Sequence, residues 1–171
     1  TEPTATEPIA TAPAVTELPE DGTVLSDDFT NGDVSGYGVY DRANTGAQIY
    51  VGEDGTLGAS FGDAEPYNWN ENNGVRKDIT ALVKSGSKYE VLADVFSSWW
   101  GGVSAKLFLE VESGGTSRRI AVAEDIFDGD NGTVTLSGET DIWFEDGDKV
   151  YLCITQAAGY QNYDNIVMKY V

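Results

Sequence analysis

The 171-residue chain has no histidine, one cysteine and one methionine, and its 10 basic residues face 29 acidic ones. Without histidine, Ser-His and Cys-His nucleophile systems are excluded, and so are histidine-bearing zinc sites. A single cysteine cannot close an intrachain disulfide. Cys153 lies in the apolar run Val150-Tyr151-Leu152-Cys153-Ile154, where a lone thiol reads as a small core residue. If the domain is secreted, it rests on its core rather than on covalent staples. No hydrophobic run is long enough to span a membrane, and no leader-peptide pattern opens the chain. A module excised from a longer parent would lack its parent's leader. No phosphate-binding loop or dinucleotide fingerprint occurs.

Proline is scarce except at the start. The first twenty residues, TEPTATEPIATAPAVTELPE, hold four of the five prolines and contain no Lys, Arg, glycine or aromatic residue. Such a segment buries too little apolar surface to offset its ordering entropy. Residues 1–22 are therefore expected to be a linker of the kind that spaces domains in secreted modular proteins, and residues 23–171 to be the folded domain. The net charge is −19, of which the linker supplies four glutamates, leaving −15 on the domain. So acidic a surface repels phosphate backbones and anionic headgroups. Nucleic acid and membrane are excluded as partners, whereas a neutral glycan is indifferent to the charge. Solubility alone is the plainer explanation.

Beyond residue 22 the 20 glycines, with many Asn, Asp and Ser, punctuate short β-branched and aromatic runs. Strands are expected at about 23–29, 38–42, 47–52, 56–61, 75–79, 88–96, 103–112, 117–124, 133–137, 141–145, 149–155 and 163–170, with a short helical turn possible between Asp78 and Ser85. Alternation is clearest in Lys88 to Phe96 and Lys106 to Glu112. Some ten strands at this spacing predict an all-β fold, a β-sandwich (jelly roll) of two antiparallel sheets. Residues 53–56 and 113–116 read as hairpin turns. Two aromatic-rich segments stand apart as long loops, Gly62 to Gly74 and Ser97 to Gly102.

The order of these segments resembles carbohydrate-binding modules of families 22 and 4, jelly-roll sandwiches appended to xylanases and cellulases. The matching pieces are Asp28-Phe29-Thr30-Asn31-Gly32 followed by Tyr37, a central loop ending in Trp69, and Arg76 to Val91 with its Asp78-Ile79-Thr80-Ala81-Leu82 and Gly86-Ser87-Lys88-Tyr89. The closing Tyr163-Asp164-Asn165-Ile166 completes them. The tandem tryptophan departs from family 22. Together with the linker it is more similar to rumen cellulosomal modules such as families 79 and 80, which are associated with β-glucans and mannans. The resemblance covers about residues 23–171. It implies a monomeric, secreted module, cellulosome-associated in the latter case, that binds plant cell-wall polysaccharide and tethers an appended catalytic domain. A small glycoside hydrolase or lyase, and a protein-interaction domain of a scaffold, are the alternatives. A hydrolase needs only two carboxylates, but the acidic residues here sit mostly in turns.

Trp99 and Trp100 lie between Ser97-Ser98 and Gly101-Gly102. An indole offers the apolar C–H face of a sugar a flat surface, worth roughly 0.5–1.5 kcal/mol beyond area burial. Strand alternation would bury one of the pair in the core, whereas a turn at the glycines would present both. Trp69, with Tyr67, Asn68 and Asn70, forms a second candidate surface, since Asn both donates to and accepts from hydroxyls; the competing reading is a plain turn. Tyr160 and Gln161 could extend the face. Trp143, in Asp141-Ile142-Trp143-Phe144-Glu145, reads instead as a core residue.

The resemblance also implies a structural calcium ion, with Asp28 and Asp164 at the matching positions and carbonyls near Asn31 or Gly32 as further ligands. Thr30 stands where the family has an acid, and two solvated turn carboxylates are the alternative. Asp128-Gly129-Asp130-Asn131-Gly132 is not an EF-hand. Its fifth and sixth positions, Gly132 and Thr133, invert the required oxygen ligand and glycine. With no duplicated loop either, a calcium-dependent docking module is excluded.

Overall fold

The computed structural model describes residues 20–42, 46–52, 54–60, 73–97, 104–126, 132–156 and 160–171. The linker therefore falls almost wholly outside the described residues, as does the Asp128 to Asn131 segment. Eleven strands occur among the described residues: β1 (Thr23–Asp27), β2 (Tyr37–Asp41), β3 (Gln48–Val51), β4 (Leu57–Ser60), β5 (Asn73–Asp78), β6 (Ser87–Ser97), β7 (Ser104–Ser113), β8 (Thr116–Ile126), β9 (Gly132–Ile142), β10 (Lys149–Gln156) and β11 (Tyr160–Tyr170). One sheet runs β3-β4-β11-β6-β9, with β1 also paired to β11; the other runs β2-β5-β10-β7-β8. β4 and β1 share one side of β11, pairing with its first and last residues respectively. The two sheets form the antiparallel β-sandwich expected from the sequence.

Alternation sorts the side chains. Val91, Ala93 and Val95 of β6 face Leu107, Leu109 and Val111 of β7 and Leu152 and Ile154 of β10 in one core cluster. The Ser113-Gly114-Gly115-Thr116 turn has φ of 55° and 86° at its two glycines, the positive values a two-residue hairpin requires. No helix forms between Asp78 and Ser85. Asp78 Oδ1 accepts from Thr80 N at 3.0 Å, and Leu82 N closes a single turn on Ile79 O at 2.8 Å.

A polar clasp joins the sheets at one edge of this core. Asp27 of β1 accepts from Lys77 Nζ of β5 at 2.6 Å and from Tyr37 OH of β2 at 2.7 Å. The Lys77 ammonium also lies 4.6 Å from the centre of the Tyr37 ring. Burial, followed by the Asp27 charge, drives the Tyr37 phenol far above its ordinary range, so it acts only as a neutral donor. Asp27→Ala would strand both donors in a half-buried site. It is expected to lower stability by roughly 2–3 kcal/mol, measurable by urea unfolding; a change under 0.5 kcal/mol would show that the clasp is ornamental.

The structure also corrects the sequence reading of the strands around Gly138. Residues 133–137 and 141–145 were expected as separate strands, yet β9 runs unbroken from Gly132 to Ile142. Gly138 does not end the strand. A Cβ there would lie 2.4 Å from Val122 O, so glycine lets β8 cross close over β9. Ile142 takes the last inward position, and the next side chain turns outward. Trp143 is consequently 66% exposed rather than core, while Phe144 packs against the core.

Candidate functional site

On the outer face of the five-stranded sheet, the residues that alternate away from the core are not solvated at its centre. Tyr40, Phe108 and Cys153 are buried there as a second, smaller cluster with Tyr151 packed against it. Tyr40 meets Phe108 edge to face at 5.6 Å. Burial, then the charge of Glu110, raises the Cys153 thiol well above its usual range, so it is an inert packing group.

Glu110 organises this face. It is 1% exposed although it lies in mid-strand on β7. Its Oε2 accepts from Tyr40 OH at 2.7 Å, and its Oε1 accepts from Arg42 Nη2. Arg119, its cross-strand partner on β8, approaches Oε2 to 3.9 Å and donates to Tyr40 OH at 2.6 Å. Burial, then the bond to Glu110, pushes the Tyr40 phenol up, and the hydroxyl bridges acid and base as a neutral group. The guanidiniums also stack: Arg42 lies 5.3 Å from the Tyr40 ring centre, Arg119 4.8 Å from that of Phe108, and Arg76 4.6 Å from that of Tyr151. Arg76 additionally bonds Glu112 at 3.1 Å.

Three of the four arginines in this acidic chain thus gather on one sheet face, with their side chains 36–45% exposed. The exposed guanidiniums, backed by the rings of Tyr40, Phe108 and Tyr151 and held by buried Glu110 and half-buried Glu112, make a rigid surface that can pack flat against a sugar ring and donate to its hydroxyls. Sequence reading missed this face. The available signal was Glu110 within Leu107-Phe108-Leu109-Glu110-Val111, a charge flanked by apolar residues on both faces of the strand.

The positions singled out from the sequence distribute as follows. Tyr67, Asn68, Trp69, Asn70, Trp99 and Trp100 lie outside the described residues. The strands that deliver them do end together. Ser60 pairs with Tyr160, Gly74 with Thr155, Ser97 with Gly132, and Ala105 with Gln156. The strand residues that flank positions 61–72, 98–103, 127–131 and 157–159 therefore all lie at one end of the sandwich. Tyr160 is the first residue of β11 at that end.

Gln161 was expected to meet ligand hydroxyls, but it is fully buried. Its register opposite inward-facing Ala59 turns the side chain between the sheets. There its amide donates to Gln156 O at 2.7 Å and Asn73 O at 3.3 Å, and its Oε1 accepts from Tyr163 OH. It braces the ends of β5, β10 and β11 rather than facing solvent.

Asp28 follows Asp27, which pairs with Ile166, so it shares a corner with Asp164. Asp28 Oδ1 accepts from Thr30 N and Oγ1, and Asp164 Oδ1 accepts from Asn165 N. Among the described residues no three His, Cys, Asp or Glu side chains gather for a metal. A calcium ion needs six to eight oxygens, so with Asp28 and Asp164 as its carboxylates main-chain carbonyls would have to supply most of them.

No protein-family model matches the sequence, and no curated protein is similar to it in sequence. Solved structures do share its fold. The CBM22-2 xylan-binding domain of Paenibacillus barcinonensis Xyn10C superposes with a TM-score of 0.68 at 10% identity, covering 86% of this chain and 99% of that one. The CBM22-1-GH10 modules of Clostridium thermocellum xylanase Xyn10B, complexed with xylohexaose, give 0.68 at 13% identity, covering 88% of this chain and 29% of that one. The xylan-binding module CBM15 gives 0.57 at 14%, covering 86% and 95%. At these identities the likeness establishes the shared β-sandwich fold.

Proposed function

We propose that this chain is a non-catalytic carbohydrate-binding module that holds a β-linked plant polysaccharide on the outer face of its five-stranded sheet. The observation that carries the reading is the exposed arginine layer that buried Glu110 holds over a bed of aromatic rings. Xylan-binding modules of the same fold support it. The strands flanking Trp69 and Trp99-Trp100 end together at one end of the same sandwich, and these aromatic residues would extend the surface.

The ligand is a single β-linked chain, with xylan, β-glucan, xyloglucan and glucomannan as the glycans to compare. The module would tether a secreted enzyme to this chain and raise its local substrate concentration. Affinity gel electrophoresis across the four glycans tests the proposal. Retardation by at least one, with no release of reducing sugar, is expected; no retardation by any would overturn it, and sugar release would establish the hydrolase reading instead.

Calcium at Asp28 and Asp164 belongs to the same proposal. A ligand at a hundred times its dissociation constant stabilises by about 2.7 kcal/mol, which at this size raises Tm by roughly 5–10 °C. A melt in calcium that superposes on one in EDTA would remove the ion from the account.

A further inference from the structure

We propose a second carbohydrate site, built on Trp143 at the opposite end of the sandwich, that takes a neutral pyranose chain. The cleft has a volume of about 460 Å³ and is lined by Ser85, Ser113, Thr116, Ser117, Arg118 and Trp143, among others. Its size lies within the range of small-ligand sites. The β7–β8 hairpin supplies one wall, and the segments before β6 and after β9 supply the other, so both sheets contribute.

The indole is already fixed in place. A Cβ at Gly86 would lie 3.2 Å from Trp143 Cζ3 and 3.3 Å from Cη2, so one side of the ring rests on a glycine with no side chain between. The residue is nonetheless 66% exposed, which leaves ring surface open for stacking. Arg118 Nη2 donates to Trp143 O, tying the two walls together. Ser85 Oγ donates to Phe144 O at 2.6 Å and accepts from Phe144 N at 2.8 Å. Such a site loses little freedom when it binds.

The lining points to a sugar. The carboxylates of Glu145 and Asp148, also in the lining, accept from hydroxyl groups beside an aromatic platform. The protons of Ser85 and Thr116 already go to Phe144 O and Ser113 O, which leaves the two hydroxyl oxygens as acceptors. An anion meets those carboxylates on a chain of net charge −19. A quaternary ammonium ligand calls for a cage of several rings, whereas Phe144, the cleft's other aromatic residue, packs against the core.

Ser113 stands nine residues along β7 from Ser104, at the other end of the strand, about 30 Å away. The site is therefore separate from the aromatic segments. It adjoins the sheet face at Ser117, whose Oγ accepts from Arg42 Nη2 at 3.2 Å, but does not rest on the reading of that face. Two sites on one module would engage a polysaccharide bivalently and raise retention on insoluble material.

The test is ¹⁵N NMR of the chain's four tryptophan indoles, with the Trp143 signal identified by its loss in Trp143→Phe. Xylohexaose, cellohexaose and mannohexaose are titrated separately into the millimolar range. The Trp143 indole is expected to shift saturably with at least one of them, and Trp143→Ala to weaken that binding at least tenfold. Gly86→Ala, which crowds the ring and also strains a backbone held at a φ of 77°, should weaken it as well, a thermal melt separating lost packing from lost stability. If other indoles or sheet-face amides move while Trp143 does not, this second site is overturned and the sheet-face proposal stands. If Trp143 alone responds, the second site stands and the sheet-face proposal falls. If nothing moves, both fall.

Discussion

Replacing Arg42 and Arg119 together by alanine is expected to lower the unfolding free energy by roughly 3–5 kcal/mol. The reason is the asymmetry of the network. The Glu110 side chain is 1% exposed, whereas those of Arg42 and Arg119 are 45% and 40% exposed. Removing the cations leaves a buried carboxylate with the Tyr40 hydroxyl as its remaining described partner. Removing the carboxylate instead leaves two guanidiniums that water already reaches. Glu110→Gln should therefore cost less, roughly 1–2 kcal/mol. For a domain of this size the double arginine variant should melt roughly 6–20 °C below the parent. Urea unfolding of the two variants side by side decides the matter. Equal stabilities would mean that Glu110 is not the member of the cluster that burial makes costly.

The second large effect concerns binding. Trp99→Ala with Trp100→Ala is expected to raise the dissociation constant for whichever glycan retards the protein by roughly 30–100-fold, about 2–3 kcal/mol for two lost indole contacts. Tm should stay near that of the parent if both rings serve the ligand. A ring that strand alternation has turned into the core would show itself as a loss of stability with little loss of binding. Tyr151→Ala removes the ring on which Arg76 stacks and which packs beside Glu110 against Tyr40 and Phe108, and should weaken binding about tenfold with a measurable loss of stability. Calorimetric titration of the two variants separates an end-of-sandwich platform from a sheet-face platform. Unchanged affinity in both would leave the proposed site without support.

The contrast between Glu110 and Trp143 shows what could be read in advance. Lys88 to Phe96 and Lys106 to Glu112 alternate strongly enough to be assigned as strands before any coordinates, and β6 and β7 follow them. The two positive-φ glycines of the β7–β8 turn were legible for the same reason, because local sterics decide them. Gly138 was misleading. A glycine in a strand pattern can end the strand or admit a close neighbour, and the approach of Val122 is a tertiary fact. Trp143 was assigned to the core from its apolar neighbours, but its exposure depends on Ile142 being the last inward residue of β9.

Composition, punctuation and period-2 alternation thus determined by themselves that the chain is an acidic, disulfide-free β-sandwich lacking histidine chemistry. These properties depend on residue types and on contacts between near neighbours, which a linear string records. Tertiary structure alone decided which outward positions become a site. Tyr40, Arg76, Phe108, Glu110, Arg119 and Tyr151 come from five strands, Arg42 follows β2, and they meet through the register of β2, β5, β10, β7 and β8. Pairing across residues as far apart as 40 and 119 is set by the global burial of the core, and no local pattern in the sequence encodes it.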